Sequence, residues 1–241
     1  MKPFDFLAGE TLLIDKPKEW TSFDVVNKVR NAIRIKKVGH AGTLDPLATG
    51  LLILCTGKAT KTINDIQGQE KEYEALIKFG ATTPSYDAEL PEENLQDVAG
   101  LSRGQIIEAM QAFQGEIEQV PPAHSAVKVN GQRAYQAARK GKKLALKSRK
   151  VHIYQFDLLE NVEPPHTWRT LIRCSKGTYI RSLAHDLGQA LGVGAYLTGL
   201  IRTRIGQHSL EDAWYLEDLI QEIKAQKSDL PSGLAKESKG P

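Results

Sequence analysis

The stretch VGHAGTLDPLATGLL, residues 38–52, holds the residue types best suited to chemistry in this 241-residue chain. Its three glycines, Gly39, Gly42 and Gly50, permit tight or left-handed turns, so the segment can close around a ligand. Asp45 precedes Pro46, and the proline ring drives the residue before it out of the helical region into extended backbone. An aspartate held that way, between a glycine turn and an apolar run, presents an oriented carboxylate that can serve as nucleophile or base. Asp-Pro is also an ordinary turn or helix-start pair, so spacing alone leaves both readings open. His40, among the same glycines, reads equally well as a structural histidine.

The elements that must position this stretch lie on either side of it. Leu12-Leu13-Ile14 reads as a short buried strand closed by Lys16-Pro17. Thr21 or Ser22 can then cap a helix with Val25, Val26, Val29 and Ile33 on one face. Residues 39–50 are turn-rich and 51–55 read as a buried strand. Tyr73, Ala75, Ile77 and Phe79 alternate with Glu72, Glu74, Leu76 and Lys78, the pattern of a mostly half-buried strand. Residues 84–93, acidic and turn-forming, read as a surface loop. Ser102 with Gln105 is a capping-box signal for a helix presenting Ile106, Ile107, Met110 and Phe113 and closed by Gly115. Residues 151–159 and 168–174 read as strands. A helix follows with Ile180, Leu183, Ala184, Leu187 and Leu191 inward and Gly192 at its end. A last helix takes in Trp214, Leu216, Leu219, Ile220 and Ile223. The irregular interleaving predicts an α+β fold, a mixed, largely antiparallel central sheet flanked by helices. Residues 1–224 form the body, and 225–241, rich in Lys, Ser, Gly and Pro, read as a disordered tail.

The net charge of +3 conceals an uneven distribution. Residues 121–152 carry nine basic side chains and no acidic one; removing them leaves 23 basic residues against 29 acidic elsewhere. A cationic excursion at about 121–150 on an acidic body points to a polyanion contact, or else to a solvated loop. The longest apolar run, 51–55, falls far short of the ~20 residues a membrane span requires. The N-terminus lacks the charged-then-apolar order of an export signal. Cys55 and Cys174 form no CxxC and no Cys/His cluster. A cytoplasmic, metal-free chain with no membrane association is expected.

Residues 39–52 closely resemble the catalytic motif of TruB-type pseudouridine synthases. Leu12-Leu-Ile-Asp-Lys-Pro17 with Trp20-Thr-Ser22 is similar to the family's first motif, and Lys71-Glu-Tyr73 to its lysine–tyrosine strand. Pro121-Pro122 with Ser125-Ala-Val-Lys128 resembles its thumb insertion, while Lys176-Gly-Thr-Tyr-Ile-Arg181 and Leu200-Ile-Arg-Thr203 resemble two later motifs. The likeness runs in order from about residue 10 to 206, far more specific than one short motif. His124 stands where the family's thumb usually has tyrosine or phenylalanine, and the chain ends without the PUA domain that many relatives carry.

The resemblance implies an isomerase that converts uridine 55, in the T-arm stem-loop of tRNA, to pseudouridine. It implies no cofactor and no obligate protein partner, and nothing in the sequence suggests other than a monomer. Asp45 would be the catalytic carboxylate, either attacking sugar or base covalently or removing a ribose proton. Both roles need the ionised form, which an ordinary aspartate (pKa ~3.9) has at neutral pH. Arg181 would pair with Asp45 and keep it ionised against burial; Tyr179 would be its hydrogen-bonding neighbour and touch the substrate. Tyr73 would stack on the everted uracil, replacing ~1–3 kcal/mol of lost stacking, although the strand pattern alone also allows it to be core. By the same resemblance His40 would help displace the base, Leu200 would form the apolar wall and Asp87 would accept a hydrogen bond from RNA. Lys128, Arg133, Arg139, Lys140, Lys142 and Lys143 would grip phosphates. The alternatives are a non-catalytic tRNA-binding or tRNA-folding protein on the same scaffold and a guide-RNA-dependent relative of the dyskerin type. Asp45, Arg181 and Tyr73 together argue against the first, and the lack of a PUA domain and of basic extensions argues against the second.

Overall fold

In the computed structural model, residues 3–125, 127–129, 132–138, 144–162 and 166–228 are described. The chain runs through β1 (Thr11–Lys16), α1 (Ser22–Ile33), β2 (Val38–His40), β3 (Thr49–Thr56), α2 (Ile63–Gly68), β4 (Lys71–Phe79), α3 (Arg103–Gln111) and β5 (Gly115–Gln119). It continues through β6 (Lys128–Val129), β7 (Gln132–Arg133), α4 (Ala134–Ala138), β8 (Arg149–Val162) and β9 (Thr167–Cys174). The remainder is α5 (Ile180–Ala190), β10 (Ala195–Ile205), β11 (His208–Ser209), β12 (Trp214–Tyr215) and α6 (Leu216–Ser228). These elements fall into two units, Met1–Gln67 with Gln207–Pro241, and Gly68–Gly206. The fold is α+β, with mixed, largely antiparallel pairing and flanking helices.

In the first unit β3 pairs antiparallel with β1 (Ile14↔Leu52) and with β2 (Gly39↔Cys55), and β12 runs parallel to β1 (Ile14↔Trp214). Leu12, Ile14, Leu52 and Leu54 pack against Val25, Val26, Val29 and Ile33 of α1 and Leu219, Ile220 and Ile223 of α6. Each such side chain withdrawn from water stabilises the unit by roughly 1.5–3 kcal/mol. Thr21 is the N-cap of α1: its hydroxyl accepts from Asp24 N–H, and the Asp24 carboxylate accepts from Thr21 N–H.

Two expectations at the C-terminus are corrected. Trp214 is not helical, because its backbone is engaged in the ladder to β1; α6 begins only at Leu216. The helix also runs past residue 224 to Ser228, because its last turn is tied down. Gln226 Oε1 accepts from Phe4 N–H at 2.9 Å, and the Lys227 ammonium donates to Ala32 O. Residues 229–241 lie outside the described residues.

The second unit orders its strands β10-β4-β9-β8-β5, each pair antiparallel. β4 shows the expected alternation, with Lys71, Tyr73, Ala75, Ile77 and Phe79 on the buried face. α5 packs on β10 so closely that a Cβ on Gly188 would lie 2.1 Å from Ala195 N; only glycine fits there. The Ser102–Gln105 capping box forms. Yet α3 stops at Gln111, Ile107 is 38% exposed, and Gly115 (φ 88°) opens β5 instead of closing the helix. The 84–93 segment is only partly a surface loop. Thr82 bridges Glu93, Ala88 N–H donates to Leu197 O and Leu197 N–H to Tyr86 O, so Ser85 and Asp87 are buried against β10. Among the described residues no helix is long and apolar enough to cross a membrane.

Candidate active site

Asp45 lies in the first unit, half-buried at the start of a turn whose corner is Pro46-Leu47, and its carbonyl accepts from Ala48 N–H at 3.1 Å. Both neighbours of Asp45 are pinned. The Ser22 hydroxyl accepts from Leu44 N–H at 2.9 Å and donates to Leu44 O at 3.2 Å. Pro46 O accepts from Glu19 N–H at 2.8 Å and lies 3.4 Å from the Lys16 ammonium. Lys16 is fully buried and also donates to Pro17 O and Trp20 O at 2.9 and 2.6 Å. A buried ammonium costs several kcal/mol unless its donors are taken up; here it ties the chain before α1 to the Asp45 turn. The far end is closed by Asp15, whose Oδ1 accepts from Gly50 N–H at 3.1 Å; burial pushes that carboxyl's pKa upward. His40 ends β2, half-buried, with Nε2 3.0 Å from Thr43 Oγ1. The turn reading of Asp-Pro is therefore correct as geometry, and the turn carries a carboxylate with its backbone held on both sides.

In the second unit Tyr73 lies opposite Arg202, and Leu200 opposite Ala75, so all four share one face of the β4–β10 pair. Tyr73 and Leu200 are each 8% exposed. Arg202 is wholly enclosed; burial pulls its pKa down, while its hydrogen bond to the Tyr73 hydroxyl acts in the opposite sense. Lys71, two residues before Tyr73, is pushed down to about 8 by burial and by the charge of Arg202. The sequence suggests a stacking role for Tyr73 but leaves Arg202 as one letter of a motif. A buried arginine beneath the tyrosine is a tertiary fact, with no local signal beyond its place on the strand.

Arg181, in the first turn of α5, is 4% exposed. Nη1 donates to Ser85 O at 3.1 Å and Nη2 to His124 O at 2.9 Å. Nη1 also stands 3.2 Å from Asp87 Oδ2, near enough for an ion pair but not aligned as a hydrogen bond. Asp87 is fully buried, its Oδ1 accepting from Ser85 Oγ at 2.6 Å and Glu89 N–H at 3.0 Å. The expected surface acceptor for RNA is thus an internal counter-ion of Arg181 here. Between Ser85 and Asp87, Tyr86 adopts φ 64° and its ring stacks on His185, centroids 3.8 Å apart, which holds a backbone conformation unfavourable to a non-glycine residue.

Tyr179 is the N-cap residue of α5 and has no side-chain cap bond of its own. Its N–H donates to Gln119 Oε1 at 2.7 Å, its carbonyl accepts from Gln119 Nε2 at 3.1 Å, and the Arg149 guanidinium lies 4.4 Å from the centre of its ring. Of the basic excursion, the backbones of Lys128 and Arg133 pair in the β6–β7 hairpin. Arg139, Lys140, Lys142 and Lys143 lie outside the described residues. At its end Arg149 is engaged by Tyr179, and Lys150 by Glu116 at 2.8 Å.

Comparison with known proteins agrees with the sequence resemblance. Residues 30–180 match the family model "TruB family pseudouridylate synthase (N terminal domain)", and residues 181–235 match "tRNA pseudouridylate synthase B C-terminal domain". A tRNA pseudouridine synthase B of Phocaeicola vulgatus is 50% identical over 229 residues, 92% of this chain and 97% of that protein. That of Chlorobaculum tepidum is 49% identical over 220 residues, 89% of this chain and 91% of that protein. Among solved structures, a chain of a Cbf5-Nop10-Gar1 complex superposes with a TM-score of 0.70 at 31% identity, over 93% of this chain. An H/ACA RNP bound to a substrate RNA containing 2'-deoxyuridine gives 0.66 at 28%, over 91%. This chain spans 57% and 55% of the length of those two chains.

Proposed function

Because the chain belongs to the TruB family of pseudouridylate synthases, it forms pseudouridine in tRNA, and we propose that it does so at uridine 55 of the T-arm with Asp45 as the reacting carboxylate. The observation that carries this reading is the double clamp on the Asp45 turn: Leu44 held by Ser22, and Pro46 held by Glu19 and Lys16. A reacting group fixed by its backbone loses little freedom on reaching the transition state.

The reaction breaks N1–C1′, turns the uracil, joins C5 to C1′ and moves the proton from C5 to N1, so atoms and electrons balance without any oxidant or group donor. In this reading the Asp45 carboxylate attacks the nucleotide or takes a ribose proton, and the Arg181 guanidinium is its cationic partner. Tyr179 hydrogen-bonds beside the carboxylate. Tyr73, backed by Arg202, stacks on the everted base and helps to remove the C5 proton. Leu200 walls off water that would otherwise capture the detached sugar, and His40 takes the place vacated by the base in the RNA. The thumb's basic residues, Lys128, Arg133, Arg139, Lys140, Lys142 and Lys143, hold phosphates. Asp87 serves through Arg181. The enzyme is taken as a cytoplasmic monomer needing no guide RNA.

The test incubates the purified protein with an unmodified T-arm hairpin, without cofactor, guide RNA or other protein, and maps pseudouridine. Product at the T-arm uridine is expected from the wild type. Asp45→Asn is expected to bind the hairpin with unchanged affinity and form none. An Asp45→Asn protein as active as the wild type removes the catalytic assignment, and a wild type that only binds leaves a tRNA-binding scaffold.

A further inference from the structure

The basic excursion is entered from β5 and left through β8, and the residues facing each other at that junction are Gln119 and Arg149. Both hold Tyr179, from different sides. The Gln119 side chain, fully buried, makes two hydrogen bonds to the Tyr179 backbone, as acceptor at 2.7 Å and donor at 3.1 Å. The Arg149 guanidinium covers the Tyr179 ring at 4.4 Å and rests against Gly177 (φ 81°), where a Cβ would lie 3.7 Å from it. Further links run the same way. Ser182 Oγ donates to Val120 O at 2.8 Å, and Arg181 Nη2 to His124 O at 2.9 Å. Residues 119–124, the entry limb of the thumb, are stitched to residues 179–182.

A buried primary amide is costly unless both of its ends are used. Here both are used on one residue that lacks a side-chain cap of its own, so the Tyr179 N–H is held from the thumb's base, while its carbonyl is shared between Gln119 Nε2 and the Leu183 N–H of α5, each at 3.1 Å. The ring is then covered by a cation on the opposite strand, a cation–π contact between two half-buried side chains. Two independent interactions, one on the backbone and one on the ring, leave Tyr179 few orientations.

We propose that Gln119 and Arg149 are positioning residues that tie the base of the RNA-gripping thumb to Tyr179, so that they set the rate of the chemical step and not the affinity for RNA. The inference rests on the reading of Tyr179 as a substrate-facing residue. It also withdraws Arg149 from the phosphate-binding set to which its place in the basic run would assign it.

The experiment measures single-turnover pseudouridine formation on a saturating T-arm hairpin. The hairpin's Kd is measured separately in an Asp45→Asn background. Gln119→Met, close in shape but unable to make either bond, and Arg149→Met are each expected to slow the step at least tenfold with Kd within twofold of the parent. Arg149→Lys, which keeps a cation over the ring, is expected to recover most of the rate. Unchanged rates overturn the proposal; so does a tenfold weaker Kd with a normal rate at saturation, which would make these residues RNA grips. Should Gln119→Met fail to fold, the contrast between Arg149→Lys and Arg149→Met decides, since Arg149 is only half-buried; equal slowing in both overturns the proposal. Absence of product from the wild type would count against the proposed function itself, which is a distinguishable result.

Discussion

The Ser22 hydroxyl is bonded twice to the backbone of Leu44, accepting from its N–H at 2.9 Å and donating to its carbonyl at 3.2 Å. A side chain at the start of α1 thus completes the backbone pairing of the residue before Asp45. Ser22 and Leu44 are 2% and 4% exposed, so water cannot replace either bond. Ser22→Ala is expected to lower stability by about 1–3 kcal/mol, the cost of stranding buried backbone groups. It should also slow pseudouridine formation more than it weakens hairpin binding. Chemical denaturation and a single-turnover assay check the two effects.

Arg181 uses the planar spread of its guanidinium to reach Ser85 O, His124 O and Asp87 at once. A lysine ammonium cannot span those positions. Arg181→Lys is therefore expected to lose at least tenfold in rate although charge is kept. Asp87→Ala, which leaves the guanidinium without its buried counter-ion, should destabilise the fold by about 3–5 kcal/mol. A stable, fully active Asp87→Ala protein would show that the ion pair is dispensable.

Replacing Lys140, Lys142 and Lys143 with glutamine is expected to weaken hairpin binding and flatten its dependence on salt. For every phosphate that a lysine no longer neutralises, the slope of log K against log salt should become shallower by about 0.7–0.9. Binding titrations at several ionic strengths measure it, and an unaltered slope would place the electrostatic footprint elsewhere.

Burial pushes the Asp186 carboxyl up to about 6 from 3.8. The folded chain therefore retains a proton that the unfolded chain loses between roughly pH 4 and 6, and stability falls as pH rises through that window. Solvent screening of a half-buried group limits the effect to about 1–2 kcal/mol. Asp186→Asn should remove this fall and raise the melting temperature at pH 7, which thermal unfolding across pH would reveal.

Elements whose residues share one face at a regular period are legible in the sequence. The valines of α1, the alternation of β4 and the capping box at Ser102 each encode their structure within a dozen neighbours, because burial of one face and satisfaction of a helix end are local demands. Trp214 misled because an apolar residue at helical spacing can equally join a strand; the choice was made by Ile14, two hundred residues earlier in the chain. β5 gave little warning, since the alternation in Gly-Glu-Ile-Glu-Gln is short and mostly polar.

By itself the sequence determined the family and the helix-forming and strand-forming faces, and it singled out Asp45 as the proposed carboxylate, because all of these are written in residue type and order. Only the tertiary structure decided that Asp87 lies inside against Arg181, that Lys16 and Ser22 hold the Asp45 turn, and that Gln119 and Arg149 hold Tyr179. A polar side chain becomes a clamp when burial removes water and leaves one partner within reach, and which partner that is depends on residues brought together from distant parts of the chain.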